Sequence, residues 1–184
     1  MSARVALLRA VNVGGRNRVP MKELRAALEA AGLRDVSTVL QSGNAVFDAS
    51  GSDAEVAAAI RSAIAEAFGL DIGVVVRTAA EMRRIAGANP FLEGGDSRDP
   101  ATLHVAFLEA EPTVTAAAGL DPHRSPPDAY VVRGREVYLS YPGGSGRSRL
   151  TLGYLEGTLG IQGTARNWRT VERLASILVA GGRG

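Results

Sequence analysis

The sequence predicts an α+β fold in two similar halves, and three observations carry that prediction. Residues 1–77 divide into apolar runs and helical stripes in the order β-α-β-β-α-β. Residues 78–184 then give β-α-β-β-α after a short connecting helix. A chain of 184 residues with 46% hydrophobic and 22% charged residues also has the length and composition of an ordinary globular core. The split-βαβ order is that of the ferredoxin-like fold. The expectation is therefore two ferredoxin-like (βαββαβ) halves, 1–77 and 78–184, packed as one compact body.

In the first half, residues 4–11 read as a buried strand ended by Asn12-Val13-Gly14-Gly15. Met21, Leu24, Leu28 and Ala31 recur on one helical face, with Pro20 at its first turn and Gly32 at its end. Residues 36–40 and 45–47 are short strands around Gln41-Ser42-Gly43-Asn44, whose Gly-Asn pair signals a hairpin. Ser52 and Glu55 form a capping-box pattern before the stripe Val56, Ile60, Ile64, Phe68. Residues 70–77 are a valine-rich strand.

The second half opens with another capping-box pair, Thr78 and Glu81, and a helix to about Ala88. Asn89-Pro90 starts a polar loop to Pro100. Strands follow at 102–108, 129–132 and 136–141, with a weak helix at 113–118 and a Pro-rich loop through Pro126-Pro127. Helical material from Thr151 is broken by Gly160 and Gly163. A last helix over 165–180 buries Trp168, Val171, Ala175 and Leu178. No fourth strand and no residue-level repeat of the first half is visible.

Charge is polarised although the net is only +2. Residues 1–34 carry 7 basic and 2 acidic groups, residues 35–132 carry 6 and 14, and residues 133–184 carry 8 and 3. Such a chain can offer a local positive field, or its segments can simply neutralise each other. The absence of cysteine excludes disulfides, thiolate metal sites and Cys nucleophiles. No apolar run reaches membrane-span length and no signal-peptide core is present, so a cytoplasmic protein is expected.

Two glycine–arginine loops are the candidate sites. In the first, Asn12 to Pro20, Gly14 and Gly15 allow positive φ and close approach to a ligand. Arg16 and Arg18 add guanidinium forks suited to phosphate or carboxylate. The following helix N-terminus favours an anion. The glycine spacing fits neither a Walker A loop nor a dinucleotide fingerprint. The second loop, Gly143-Gly144-Ser145-Gly146-Arg147-Ser148-Arg149, repeats that chemistry. First and third strands are expected to be parallel neighbours, which would put each loop at the same end of its own half. Each loop reads equally well as a flexible turn with solvated arginines. Gln41, Ser42 and Asn44 build a turn first and a ligand contact second. Arg166 and Asn167, at the start of the last helix, stand beside Trp168, which reads better as core than as an aromatic platform.

Four motifs resemble the bacterial domain-of-unknown-function family 1697. They are Leu7 to Gly15 with Val19-Pro20-Met21 and Glu23-Leu24, then Gln41-Ser42-Gly43-Asn44 with Val46-Phe47, then Asn89-Pro90-Phe91, then Thr164 to Val171. The resemblance runs from Val5 to Leu178. It implies a double ferredoxin-like α+β fold and no activity. Family members often carry Lys in the first loop where this chain has Arg16 and Arg18, and often Asn at position 169, which is Arg here.

Catalytic machinery is hard to assemble. His104 lies in an apolar strand and His123 in a Pro-rich loop, neither with a ligand at metal spacing. There is no Gly-x-Ser-x-Gly elbow. Asp96 and Asp99 flank Arg98 in a polar loop without a feature that singles them out. No metal and no cofactor are expected, and oligomeric state is not legible. RNA-recognition domains stack bases on aromatics of the first and third strands. Here the first strand has none and the third only Phe47. Three readings stand: a binding protein for a small anionic or phosphate-bearing ligand, an enzyme in the same cleft, and a protein- or nucleic-acid-interaction module.

Overall fold

A computed structural model describes residues 1–15, 17–41, 43–93 and 98–181. The first sheet contains β1 (Ser2–Leu8), β2 (Arg34–Val39), β3 (Asn44–Ala49) and β4 (Val74–Thr78), in the order β2-β3-β1-β4. Two helices serve it, α1 (Met21–Ala30) and α2 (Asp53–Phe68). The second contains β5 (Leu103–Leu108), β6 (Ala129–Arg133), β7 (Glu136–Ser140) and β8 (Gly163–Asn167), in the order β6-β7-β5-β8. Its helices are α4 (Val114–Ala118) and α5 (Leu152–Leu159). The short α3 (Ala79–Gly87) follows β4 in the chain and α6 (Trp168–Gly181) follows β8. Both sheets are antiparallel throughout, so the protein is an α+β fold in two halves. The chain forms two compact units, residues 1–84 with 173–184, and residues 85–172.

The elements form where their local chemistry directs. Alternation along β1 and β3 sends Ala6, Leu8, Ala45 and Phe47 to one face, where they meet Leu24 and Leu28 of α1 and Ile60 and Ile64 of α2. In the second unit Ala106, Leu108, Val137 and Leu139 meet Leu155 and Leu159 of α5. The Ser52 capping box is present in full, and Gly69 closes α2 in the left-handed conformation at φ 65°. Thr78 and Glu81 form the second box, with the Thr78 N–H donating to Glu81 Oε2 at 2.8 Å and the Glu81 N–H donating to Thr78 Oγ1 at 3.2 Å.

Three expectations are corrected. The first and third strands are neighbours but antiparallel. The return through α1 leaves β2 running with β1, and the tight β2–β3 hairpin then reverses β3. Loops that follow β1 and β3, or β5 and β7, therefore leave opposite ends of their own sheet. The loop after β1 and the loop after β7 do not occupy equivalent ends. Residues 165–167 belong not to the last helix but to β8, the fourth strand that the apolar pattern concealed. Thr164 and Arg166 of β8 lie on the sheet face opposite the α5 core and are polar and buried, so no hydrophobic alternation marks the strand. Finally, the first strand stops at Leu8 instead of running to residue 11, because Ala10 and Asn12 take φ of 53° and 55°.

A residue-level repeat is also present. The Leu8 N–H donates to the Gly43 carbonyl and the Leu108 N–H to the Arg135 carbonyl. The next residues, Arg9 and Glu109, donate to Gly73 and Gln162. Arg77 pairs with Val5 across β4–β1, and Arg166 pairs with Val105 across β8–β5. Each of these arginines is buried, and each donates from Nη1 to the carbonyl of the residue before it, at 2.9 and 2.8 Å.

Candidate functional site

The segment between β1 and α1 is built rather than slack. Ala10, Asn12, Gly14, Gly15 and Asn17 all have positive φ, between 47° and 75°. One side chain holds that shape. Asn12 Nδ2 donates to the Val19 carbonyl and to the Gln41 carbonyl, both at 3.0 Å, and Asn12 Oδ1 accepts the Val19 N–H at 2.9 Å. Asn17 Nδ2 donates to the Ala10 carbonyl at 3.2 Å, and the Asn12 N–H to the Asn17 carbonyl at 3.2 Å. The amide of Asn12 therefore acts by shaping the loop, with its hydrogen-bonding atoms already engaged by protein.

Gly14 and Gly15 are exposed, and a Cβ on either would meet nothing within 4 Å. Their φ favours glycine, while the space above them is open to a ligand. Arg18 is exposed and, among the described residues, makes no hydrogen bond or ion pair. No side chain caps the N-terminus of α1. The backbone N–H groups of its first turn thus retain their capacity for an anion. Arg16 lies outside the described residues.

The hairpin turn lies against this loop. Gly43 has φ 72°, and a Cβ there would come within 3.0 Å of the Cβ atoms of Leu8 and Val11. Gln41 offers its carbonyl to Asn12 and leaves its side chain exposed. Asn44 is fully buried and donates from Nδ2 to the Val39 carbonyl at 3.0 Å, closing the turn from inside. It belongs to the structure of the hairpin. Ser42 lies outside the described residues.

The other sequence candidates belong to the second unit, at the end of its sheet where β7 and β8 terminate. Arg147 and Arg149 are exposed. Asn167 donates to the carbonyls of Ala101 and Leu103 at 3.0 and 3.3 Å and accepts the Arg169 N–H at 3.0 Å. It caps α6 and ties β8 to the start of β5. Arg166 is 8% exposed, and burial pushes its guanidinium down to about 10, still cationic at neutral pH. Its Nη1 also donates to Thr164 Oγ1 at 2.8 Å. Trp168 is 1% exposed and is a core residue. Of the loop carboxylates, Asp99 caps the 3-10 turn at Pro100–Thr102 and meets Arg169 at 3.4 Å, while Asp96 lies outside the described residues.

Arg124, Ser125 and Tyr154 escaped the sequence reading. Arg124 lies over the Tyr154 ring at 4.6 Å, and the Arg149 N–H donates to Ser125 Oγ at 3.1 Å. A segment 24 residues upstream thereby anchors the second loop, and nothing in the local sequence signals it. Among the described residues no group of three or more His, Cys, Asp or Glu could hold a metal ion. No helix among them is long and apolar enough to cross a membrane.

These features define an α+β protein with two ferredoxin-like sheets and exposed glycine–arginine loops. The chain belongs to the family described as "Protein of unknown function (DUF1697)", whose model matches residues 1–138. Among solved structures it is similar to a conserved bacterial protein, SP0830 from Streptococcus pneumoniae. The identity is 21% over 97% of this chain and 98% of that one, with a TM-score of 0.74. That likeness is one of fold. No curated protein matches the chain.

Proposed function

We propose that this protein is a cytoplasmic binding protein for a small anionic or phosphate-bearing ligand, held at the loop between β1 and α1. The observation that carries the reading is the preorganised loop itself. Asn12 fixes a run of left-handed residues that leaves the Gly14–Gly15 backbone uncovered beside exposed Arg18 and the side-chain-free N-terminus of α1. Strained backbone held by its own hydrogen bonds is a recurrent feature of binding sites. Successive backbone N–H groups in such conformations form anion-binding concavities. An arginine fork adds charge without needing to be buried.

Thermal unfolding at low salt against nucleotides, sugar phosphates and carboxylates tests the reading. A ligand at 100 times its Kd adds about 2.7 kcal/mol. In a chain of this size that raises Tm by roughly 5–11 °C. The shift should be confined to one chemical class and vanish when Arg16 and Arg18 are both replaced by Ala. A flat panel, or an equal shift in the double variant, would overturn the proposal.

A further inference from the structure

The second glycine–arginine loop has features that the first lacks, and they point to a different ligand. Arg147 and Arg149 leave the loop after β7, and Arg124 leaves the segment before Pro126. All three are exposed, and among the described residues none is in an ion pair. Ser125 Oγ joins the two segments, taking the Arg149 N–H at 3.1 Å and meeting Ser148 Oγ at 3.5 Å. Arg124 is laid over Tyr154 at 4.6 Å and its Nε donates to the Arg149 carbonyl at 3.5 Å, which orients the guanidinium and leaves its two terminal nitrogens for an acceptor. The nearby Asp121 carboxylate is committed to the His123 N–H at 2.8 Å. Gly143, Gly144 and Gly146 have open space where a Cβ would stand.

From this arrangement we infer that the loop pair Arg124, Arg147 and Arg149 is a separate site for the phosphate backbone of a single-stranded nucleic acid. A single small anion is satisfied by one or two guanidinium forks in a recess. Here three cations stand on two segments of open surface with bare glycine backbone between them, which suits a repeating line of phosphates. The aromatic ring is already covered by Arg124, so the contact is to backbone charge and indifferent to base identity. This inference rests on residues distinct from those of the first loop and does not depend on it.

The test is fluorescence anisotropy of a labelled oligothymidylate at 50 to 200 mM KCl, with full-length protein. Three phosphate contacts predict a roughly 20-fold loss of affinity across that range, from a single-strand slope near −0.7 per contact. In R147A/R149A, with one contact left, binding should weaken at 50 mM and the loss should shrink to about threefold. R147K/R149K keeps the charge and should restore most of the salt dependence. R83A, at an exposed position on α3 outside both loops, should bind as the parent does. The inference is overturned if the parent does not bind at 50 mM, if R147A/R149A binds equally well, or if R83A alone abolishes binding. It is likewise overturned if inorganic phosphate displaces the strand at equal phosphate concentration, which would mark a single-anion pocket. Unchanged melting temperatures of the exposed-loop variants separate a lost contact from a lost fold.

Discussion

Positions Gly14 and Gly163 both favour glycine, for opposite reasons. At Gly14 the backbone is left-handed at φ 59° and the space beside it is empty. At Gly163 no positive φ intervenes, but a Cβ would stand 2.6 Å from the Phe107 carbonyl oxygen on the neighbouring strand. Gly14→Ala should cost about 1 kcal/mol, and Gly14→Asn should recover most of it, since Asn tolerates the left-handed region. Gly163→Ala should cost about 1–3 kcal/mol by forcing β8 off β5, and Gly163→Asn should be worse. Thermal melts of the four variants check the contrast, at roughly 2–4 °C per kcal/mol. His104 supplies a second prediction. Burial pushes its imidazole below the ordinary 6.5, partly offset by the Thr102 backbone, and its ring meets Tyr141 edge-on at 5.3 Å. The unfolded chain therefore takes up a proton near pH 6.5 that the folded chain refuses. Stability is full above that value and falls as pH drops through it toward the lower folded pKa. Glu55, held down by the Ser52 N–H and hydroxyl, and Glu93, held down by Arg133, have depressed values instead. Their contributions are lost only as pH falls below 4.5, the ordinary carboxylate value. Melts between pH 4.5 and 7.5 should therefore slope in the parent and flatten in His104→Gln; an unchanged slope in the variant would assign the effect elsewhere.

At the scale of elements, legibility followed the kind of physics that formed each one. Helix α1 was readable from its apolar stripe bounded by Pro20 and Gly32, and α2 from its stripe beside a local capping box. The hairpin between β2 and β3 was readable from Gly43, whose left-handed turn is a property of one residue. Strand β8 was not, because its place depends on pairing with β5 some 60 residues earlier and its buried side chains include the polar Thr164 and Arg166. Direction within the sheet is likewise a non-local property, and the assumption of parallel β1 and β3 failed for that reason. The site divides in the same way. Gly14, Gly15 and Arg18 declared themselves by residue type. The work of Asn12 did not, since its partners are backbone atoms of Val19 and Gln41, 7 and 29 residues away. Side-chain to backbone bonds of that kind leave no pattern in the partner's identity.

On the scale of the molecule, sequence order and structural membership part company at α6. The two half-repeats run consecutively, yet the compact unit built on β1–β4 also takes the chain from Arg173 onward. Leu174 and Leu178 in that segment are 0% and 1% exposed, so the unit gains buried apolar surface from the far end of the sequence. Leu155 in α5, also 0% exposed, belongs instead to the core beneath β5 and β7. Either truncation to Ala should cost about 2–5 kcal/mol by lost transfer energy and cavity. The location of the loss should differ. Amide hydrogen exchange resolves it, because protection reports the opening free energy of each cooperative segment. In Leu174→Ala the amides of β1 and β3 should lose protection more than those of β5 and β7, and in Leu155→Ala the order should reverse. If Leu174→Ala instead exposes β5 and β7 first, the C-terminal segment stabilises the second unit, and the fold divides simply in chain order.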